Sequence, residues 1–422
     1  MRWLYNIGIS LYYGMIVLAS PVNLKARKWL RGRRDQVGRL QQLAGREKVV
    51  WMHCASLGEF EQGRPFLESF RRQYPEFRVL LTFFSSSGYD VRKNYQGADD
   101  VFYLPHDSVN NARRFVRLVN PAMVFFVKYE YWYNYIDILH REGIPVFLLS
   151  AIFRHGQVFF RWYGRWFRRQ LDKITFFFVQ NQSSLNLLKN MGISNAMITG
   201  DTRFDRVWQI THEPVSFPLV EAFIQQHHIL VAGSTWPADE EKLLPLMNEN
   251  NEGLKFVIVP HEVTEKGMAT LMDKIKVNAV RYSKATMEEA QKASVMIIDT
   301  VGMLAHVYRY ATLAYIGGGF GRGIHNILEA VVYGIPVIFG PRYHKFREAT
   351  DLIASNGAFA IEHSRQLYSK VFELLDDDAF LASCAVQNRI YVENNKGATT
   401  LILTKISDYI NPTRLSHDTE NK

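Results

Sequence analysis

The stretch LAYIGGGFGRGIHNILEAVVYGIPVIFGP, residues 313–341, decides how this chain folds. A short apolar run, Leu313–Ile316, reads as a buried strand. A loop holding Gly317, Gly318, Gly319, Gly321 and Gly323 follows, with Arg322 inside it. Residues 325–333 then show helical periodicity, Gly334 stops them, and residues 336–339 form a second buried strand. Strand, glycine-rich turn and helix make the unit that offers backbone N–H groups and a positive helix end to a phosphate. The glycines fit G-x-G-x-x-G in no register, and the loop lies late in the chain. A phosphorylated ligand therefore fits, and NAD is disfavoured. A structural reading stands beside it: the glycines only make a tight turn, and Asn326 with Glu329 form an Asn-x-x-Glu capping box.

Outward from this stretch the same alternation recurs. Before it lie strands at residues 229–232, 256–259 and 295–298, each followed by a turn and a helix. After it come a strand at 358–361 and helices at 364–375 and 379–394. An earlier series has strands at 49–55, 79–84, 101–104, 122–127, 145–149, 176–180 and 196–199, with helices including 60–73 and 183–191. Repeated βα units at this spacing predict parallel, doubly wound sheets. The pattern lapses over 207–218, where Pro214 and Pro218 lie close together. The expected organisation is α/β, two Rossmann-like domains facing a cleft, with an N-terminal apolar membrane-anchor helix. Residues 1–34 are the anchor and its basic flank, 35–206 the first domain, 207–218 a linker, and 219–422 the second domain with terminal helices.

A chain of 422 residues is long enough for two full cores, and 47% hydrophobic with 22% charged residues marks it as globular. Its net charge of +9 favours an anionic partner. The two cysteines, Cys54 and Cys384, form no C-x-x-C pattern, so neither a zinc site nor a disulfide framework is expected. Patterns such as H-E-x-x-H, G-x-S-x-G and the P-loop are missing, and Asp376–Asp378 reads as a solvated loop, so no metal site is expected.

Residues 3–24 carry no charge, and as one helix they would span about 33 Å, close to a bilayer's hydrocarbon thickness. Lys25, Arg27, Lys28, Arg31, Arg33 and Arg34 follow and mark that side as cytoplasmic. A signal peptide would carry its positive charge before the apolar run. A buried core helix is the other alternative, and the anchor, spanning or partly inserted, is favoured. In FRHGQVFFRWYGRWFRRQ, residues 153–170, Arg161, Arg165, Arg168 and Arg169 fall on one helical face among aromatics. Membrane contact ranks first for it, an ordinary core helix second and nucleic acid last.

Three polar residues stand where α/β sites form, beyond the carboxyl ends of strands. Glu59 lies in the first turn of a helix after the first strand. The positive helix end favours a carboxylate there, and an ionised carboxylate can take a proton from an attacking hydroxyl. Ser56-x-x-Glu59 is equally a capping-box pattern. Glu130, in KYEYWYNY, follows the strand at 122–127 among aromatics that are ordinarily core. Arg203, just before the linker, suits a carboxylate or phosphate, or pairs with Asp201 or Asp205. His53, next to Cys54, reads as a structural strand residue.

These segments together resemble the 3-deoxy-D-manno-octulosonic acid (Kdo) transferases of Gram-negative bacteria. The likeness runs in order through HCASLGE (53–59), TFFSSSG (82–88), EYWYN (130–134), TGDTRFD (199–205), GST (233–235), VPHE (259–262), DTVGML (299–304), GGGFGRGIHNILE (317–329) and FGPRYHKF (339–346). It implies a two-domain glycosyltransferase B-type fold that transfers Kdo from CMP-Kdo to the lipid A precursor, inverting the anomeric carbon without a donor-bound metal or a cofactor. By the same resemblance Glu59 is the general base, Glu130 and Arg203 stabilise the transition state, and Pro260, His261, Val301, Gly302, Met303, Asn326, Ile327, Leu328 and Glu329 bind CMP. The implied setting is the cytoplasmic face of the inner membrane, with an anionic membrane surface as partner and no nucleic acid. His261, Met303, Arg203, Lys128 and Tyr133 depart from the residues usual in the family, which bears on acceptor details more than on the reaction. The alternatives are another B-type nucleotide-sugar transferase or epimerase, or a non-catalytic, membrane-tethered nucleotide-sugar binding protein.

Overall fold

The computed structural model describes residues 1–34, 36–41, 48–213, 215–249 and 253–411. Asp35, the first residue of the expected first domain, and Pro214, one of the two prolines marking the expected linker, lie outside them. The chain forms two compact units: Met1–Arg206 with the segment from Lys396, and Val207–Asn395.

The first unit is built on a parallel sheet of β1 (Val49–Cys54), β2 (Arg78–Phe83), β3 (Asp100–Tyr103), β4 (Pro121–Val127), β5 (Val146–Ala151), β6 (Phe176–Val179) and β7 (Ala196–Ile198), in the order β3-β2-β1-β4-β5-β6-β7. Every residue of β1 is buried. The strand reads as a continuous apolar run because helices cover both faces of a parallel sheet. Trp51, Phe126 and Leu148 pack on one face; Val50, Met52, Phe125 and Phe147 pack on the other, with Phe66 and Phe70 of the helix Leu57–Gln73.

The second unit repeats the plan with β8 (His228–Thr235), β9 (Leu254–Pro260), β10 (Ala279–Arg281), β11 (Val295–Ile297), β12 (Leu313–Ile316), β13 (Val337–Phe339) and β14 (Ala358–Ala360), in the order β10-β11-β9-β8-β12-β13-β14. In each sheet the winding reverses once, between β1 and β4 and between β8 and β12. The crevice beyond the carboxyl ends of such a pair is where doubly wound sheets hold ligands.

Three expectations need correction. Residues 3–24 are not one helix. The helix α1 (Arg2–Ala19) ends before Pro21, whose ring removes an N–H, and Asn23 Oδ1 accepts from Lys25 N and Ala26 N to start α2 (Leu24–Arg34). Among the described residues no single helix is long and apolar enough to cross a membrane. Instead α1 lies against the first unit: Tyr5 OH donates to Asp107 at 2.6 Å, Asn134 Nδ2 donates to Asn6 Oδ1 at 2.9 Å, and Arg2 pairs with Asp137 at 3.0 Å. Its other face, with Trp3, Leu4, Ile7, Leu11, Met15 and Leu18, is exposed.

Arg33 turns inward over the Trp29 ring and donates to the carbonyls of Phe84 and Leu104, and burial pushes its guanidinium down to about 9. Residues 153–170 are not one helix either. Short turns at Val158–Phe160 and Trp162–Gly164 precede a helix at Arg165–Leu171, because Gly164 comes so close to the Val158 carbonyl that a Cβ there would lie 1.9 Å from it. Finally, the helix Ala398–Ile410 belongs to the first unit, where Ile402, Leu403 and Ile406 enter the core behind β1 and β2. Asp205 holds its start, accepting from Gly397 N and Thr399 N at 2.6 Å each.

Asp107, which joins α1 to the helix Tyr133–Arg141, carries a pH signature. Burial raises its carboxyl to about 6, against the lowering effect of the bonds from Tyr5, Asn134 and Tyr135. The folded chain thus keeps a proton that the unfolded chain releases near pH 4. This group's contribution to stability is full below that pH and falls as pH rises to 6, by about 3 kcal/mol. Unfolding free energies of wild type and Asp107→Asn are expected to shift by that amount in the variant's favour between pH 4 and pH 7. A pH-independent difference would contradict this.

Candidate active site

Beyond β1 the chain turns at Ala55-Ser56 into Leu57–Gln73, which sets Glu59 in the first helical turn, half-buried. Ser56 caps this helix by its backbone conformation only. Its hydroxyl makes no bond to a helical N–H and donates instead to the Glu59 carboxylate. The capping-box reading of Ser56 and Glu59 therefore does not hold, and the pair orients a carboxylate at the switch edge.

Glu130 follows β4, the strand beside β1. Between them Lys128 adopts φ +69°, a left-handed conformation rare for a side-chain-bearing residue, with its N–H still bonded to Leu149. That reversal turns Glu130 back over the sheet edge, where it is buried. Trp132 Nε1 donates to its Oε2 at 2.5 Å, and His53 Nε2 lies 3.2 Å from the same oxygen. The Trp132 ring packs between His53 and Phe84. His53, which by sequence reads as a structural strand residue, stands beside Glu130 in the fold. The sequence signal is that His53 opens HCASLGE, the motif that also holds Glu59.

Arg203 opens the helix Arg203–Thr211 and is gripped by Asp201, with Nε 2.9 Å and Nη2 2.8 Å from Oδ2. Asp201 Oδ1 also accepts from Gln62 Nε2 at 2.7 Å, tying the loop to the helix that carries Glu59. Burial pushes Asp201 up, but the charge and hydrogen bonds of Arg203 outweigh it and hold the carboxyl low. Of the two partners left open for Arg203, Asp201 is used and Asp205 caps the last helix.

Glu59 and Glu130 follow the paired strands β1 and β4, and the Gln62–Asp201 bond ties the loop of Arg203 to the helix of Glu59. Burial raises the Tyr129 hydroxyl, Arg154 and Arg203 pull it down, and Asp201 and Glu59 push it up. Burial likewise pushes the Cys54 thiol up, and Glu59, Glu130 and Glu61 add to it. A carboxylate able to take a proton, a second fixed carboxylate and a guanidinium can together serve a displacement in which positive charge develops at carbon and negative charge on a leaving group.

In the second unit Pro260 ends β9, residues 299–303 follow β11 and the glycine loop follows β12, so these segments stand along one edge of the sheet, with β8 between β9 and β12. Gly317 is required there, since a Cβ would lie 2.2 Å from the Ser234 carbonyl oxygen. Asp239 fixes the loop, accepting from Gly318 N at 2.8 Å, Trp236 N at 2.9 Å and Tyr315 OH at 3.0 Å. Trp236 Nε1 donates to His325 Nε2 at 2.9 Å, and the exposed His261 ring stacks on His325 at 4.3 Å. Burial and the neighbouring His261 hold His325 below its ordinary value, against Asp239. A cavity of about 350 Å³ opens beside this stack, lined by Thr235, Trp236, Pro260, Glu262 and Thr264 among others.

The helix expected over 325–333 is only Leu328–Val331, capped by Ile327 without a side-chain bond. Asn326 Oδ1 accepts from Leu328 N, and its Nδ2 donates to Glu329 Oε1 at 2.8 Å, so no reciprocal capping box forms. Val301 is 92% exposed, Gly302 has φ +92°, and Met303 is buried with Thr300 Oγ1 donating to its sulfur.

A family model described as 3-deoxy-D-manno-octulosonic-acid transferase (kdotransferase) matches residues 31–206. A 3-deoxy-D-manno-octulosonic acid transferase of Chlamydophila psittaci is 26% identical over 366 residues, covering 85% of this chain and 84% of that protein. The corresponding protein of Aquifex aeolicus is 27% identical over 333 residues, covering 78% and 86%. Among solved structures, UDP-GlcNAc 2-epimerase from Neisseria meningitidis matches with TM-score 0.61 at 15% identity, over 86% of this chain and all of that one. MurG of Acinetobacter baumannii matches with TM-score 0.54 at 13% identity, over 86% and 100%. These two structures share the fold.

Proposed function

The chain is a glycosyltransferase of the 3-deoxy-D-manno-octulosonic acid (Kdo) transferase family, and on that premise we propose that it moves Kdo from CMP-Kdo to a lipid A precursor of the lipid IVA type. What supports the reading is that Glu59 and Glu130 follow the paired strands β1 and β4, while the Gln62–Asp201 bond ties the Arg203 loop to the helix of Glu59. Glu59 takes the proton of the acceptor hydroxyl as its oxygen attacks the anomeric carbon of Kdo. The bond from that carbon to the CMP phosphate breaks, the electron pair leaves with CMP, and attack from the opposite face inverts the configuration. Glu130 favours the positive charge developing on the sugar, and Arg203, held by Asp201, favours the negative charge on carboxylate or phosphate. No metal bound to the donor is needed in this scheme.

CMP is assigned to Pro260, His261, residues 301–303 and residues 326–329, with Glu329 on the ribose and Arg322 or the adjacent backbone near the phosphate. The lipid acceptor places the enzyme on the cytoplasmic face of the inner membrane. Support comes from the exposed apolar face of α1 and from Trp162, which is 90% exposed beside Arg161 and Arg165. Trp166 of the same segment packs against Tyr5 of α1, so both features belong to one surface suited to an anionic bilayer.

The test is incubation of the full chain with CMP-Kdo and the tetraacylated, bisphosphorylated disaccharide in vesicles, followed by mass spectrometry of the lipid. A mass gain of one or more Kdo units that persists in EDTA is expected. An unchanged lipid overturns the reading.

A further inference from the structure

We propose that the groove between α1, α2 and the turn after β2 is a subsite for one acyl chain of the lipid acceptor, seating it so that the sugar reaches the edge that holds Glu59. The inference deepens the glycosyl-transfer reading above and rests on it. Arg27 closes the turn between the two helices, donating to the Ser20 carbonyl at 3.1 Å and to that of Pro21. α2 therefore leaves the line of α1, and a groove of about 450 Å³ opens between them. Ile16, Ala19, Ala26 and Trp29 line it from the helices, Phe84 and Ser85 from the turn.

The walls of the groove lead to the reacting edge. Ser85 N donates to the Ala55 carbonyl at 2.8 Å, one residue before the Ser56 that orients Glu59. The Phe84 ring packs on Tyr12 and Trp29 of the helices and on Trp132 at 4.8 Å, whose Nε1 donates to Glu130. Met15 lines the groove and is also exposed on α1, so the groove is continuous with the apolar surface assigned to the bilayer. The lining also selects the occupant. A peptide would bring N–H and carbonyl groups that need partners, and few are on offer. Asn23 Oδ1 already accepts from Lys25 N and Ala26 N, and Ser85 Oγ is bonded to Ser87 Oγ. A saturated chain asks for none. Among the described residues that line the groove there is no carboxylate, and Lys25 supplies positive charge, which suits a chain attached to a phosphorylated sugar.

The variant to make is Ala26→Trp, which fills the groove and leaves Glu59, Glu130 and Arg203 in place. It is assayed as the full chain with saturating CMP-Kdo and two acceptors in mixed micelles of one neutral detergent: the tetraacylated disaccharide, and the same disaccharide carrying butanoyl chains. The ratio of kcat/KM for the first over the second is expected to fall about 15- to 60-fold relative to wild type, as about two to three methylene contacts are lost at about fourfold each. An unchanged ratio overturns the inference and leaves the transferase reading intact; an inactive wild type removes that reading and the inference with it. Should Ala26→Trp fail to fold, wild type is irradiated with the acceptor carrying a diazirine near the ends of its chains, and the labelled peptides are identified by mass spectrometry. Label on Trp29 or residues 84–86 supports the subsite. Its absence there, or equal label there from a diazirine-bearing phosphatidylglycerol, overturns it.

Discussion

Glu59→Gln is expected to lower the turnover of Kdo transfer by about 10³-fold, within the range that a positioned general base contributes, with CMP-Kdo affinity unchanged. The amide has the shape of the carboxylate and can still accept from Ser56, so the half-buried first turn is left in place. What it cannot do is take the acceptor's proton. Ser56→Ala serves as the graded control. It removes the orienting hydroxyl but leaves the base, and a loss of about tenfold or less is expected. Turnover is to be measured with acceptor saturating, because a change in KM alone would mean that Glu59 binds the acceptor instead of deprotonating it. Full activity in Glu59→Gln would sink the assignment.

Replacing Leu4, Leu11 and Leu18 together by Glu is expected to weaken binding to anionic vesicles by about 10²- to 10³-fold, at roughly 1 to 1.5 kcal/mol for each partly inserted side chain. All three lie on the face of α1 turned away from the first unit, at 48%, 63% and 81% exposure. The polar bonds of Arg2, Tyr5 and Asn6 to the body are untouched, so the unfolding midpoint is expected to stay where it is. Co-sedimentation in low and high salt separates the two attractions. The apolar part persists in salt, whereas the contribution of Arg161, Arg165 and the basic residues of α2 is screened. Undiminished sedimentation of the triple variant would show that α1 does not enter the bilayer.

Much of this architecture is legible in the residues, for identifiable reasons. Strands such as β1 and β4 are unbroken apolar runs because both faces of a parallel sheet are covered, and their spacing leaves room for one helix each. Glu59, Glu130 and Arg203 could be singled out because each follows a strand end. The strand order that makes Glu59 and Glu130 neighbours is a long-range fact that no local pattern carries. The errors have local causes that composition hides. Asn23 looks like a polar dilution of an apolar segment until its side chain is seen to start a new helix at Lys25 and Ala26. Gly164 looks harmless in a basic, aromatic helix until the Val158 carbonyl occupies the place of a side chain. His53 was the hardest to read. A histidine inside an apolar strand is usually structural, and its closeness to Glu130, which follows the neighbouring strand β4, comes from the strand order that no local pattern carries.

The helix Ala398–Ile410 makes the second unit an insertion within the first. The order in which the ribosome delivers the chain is therefore not the order in which its parts are completed. Val207–Asn395 has its whole sheet and core as soon as it has emerged. The first unit waits with the apolar surface behind β1 and β2 uncovered until Ile402, Leu403 and Ile406 arrive, and with Asp205 lacking the N–H groups of Gly397 and Thr399. The half that carries Glu59 and α1 is thus begun before Val207–Asn395 and completed after it, so its core closes only once the helix Ala398–Ile410 has been made.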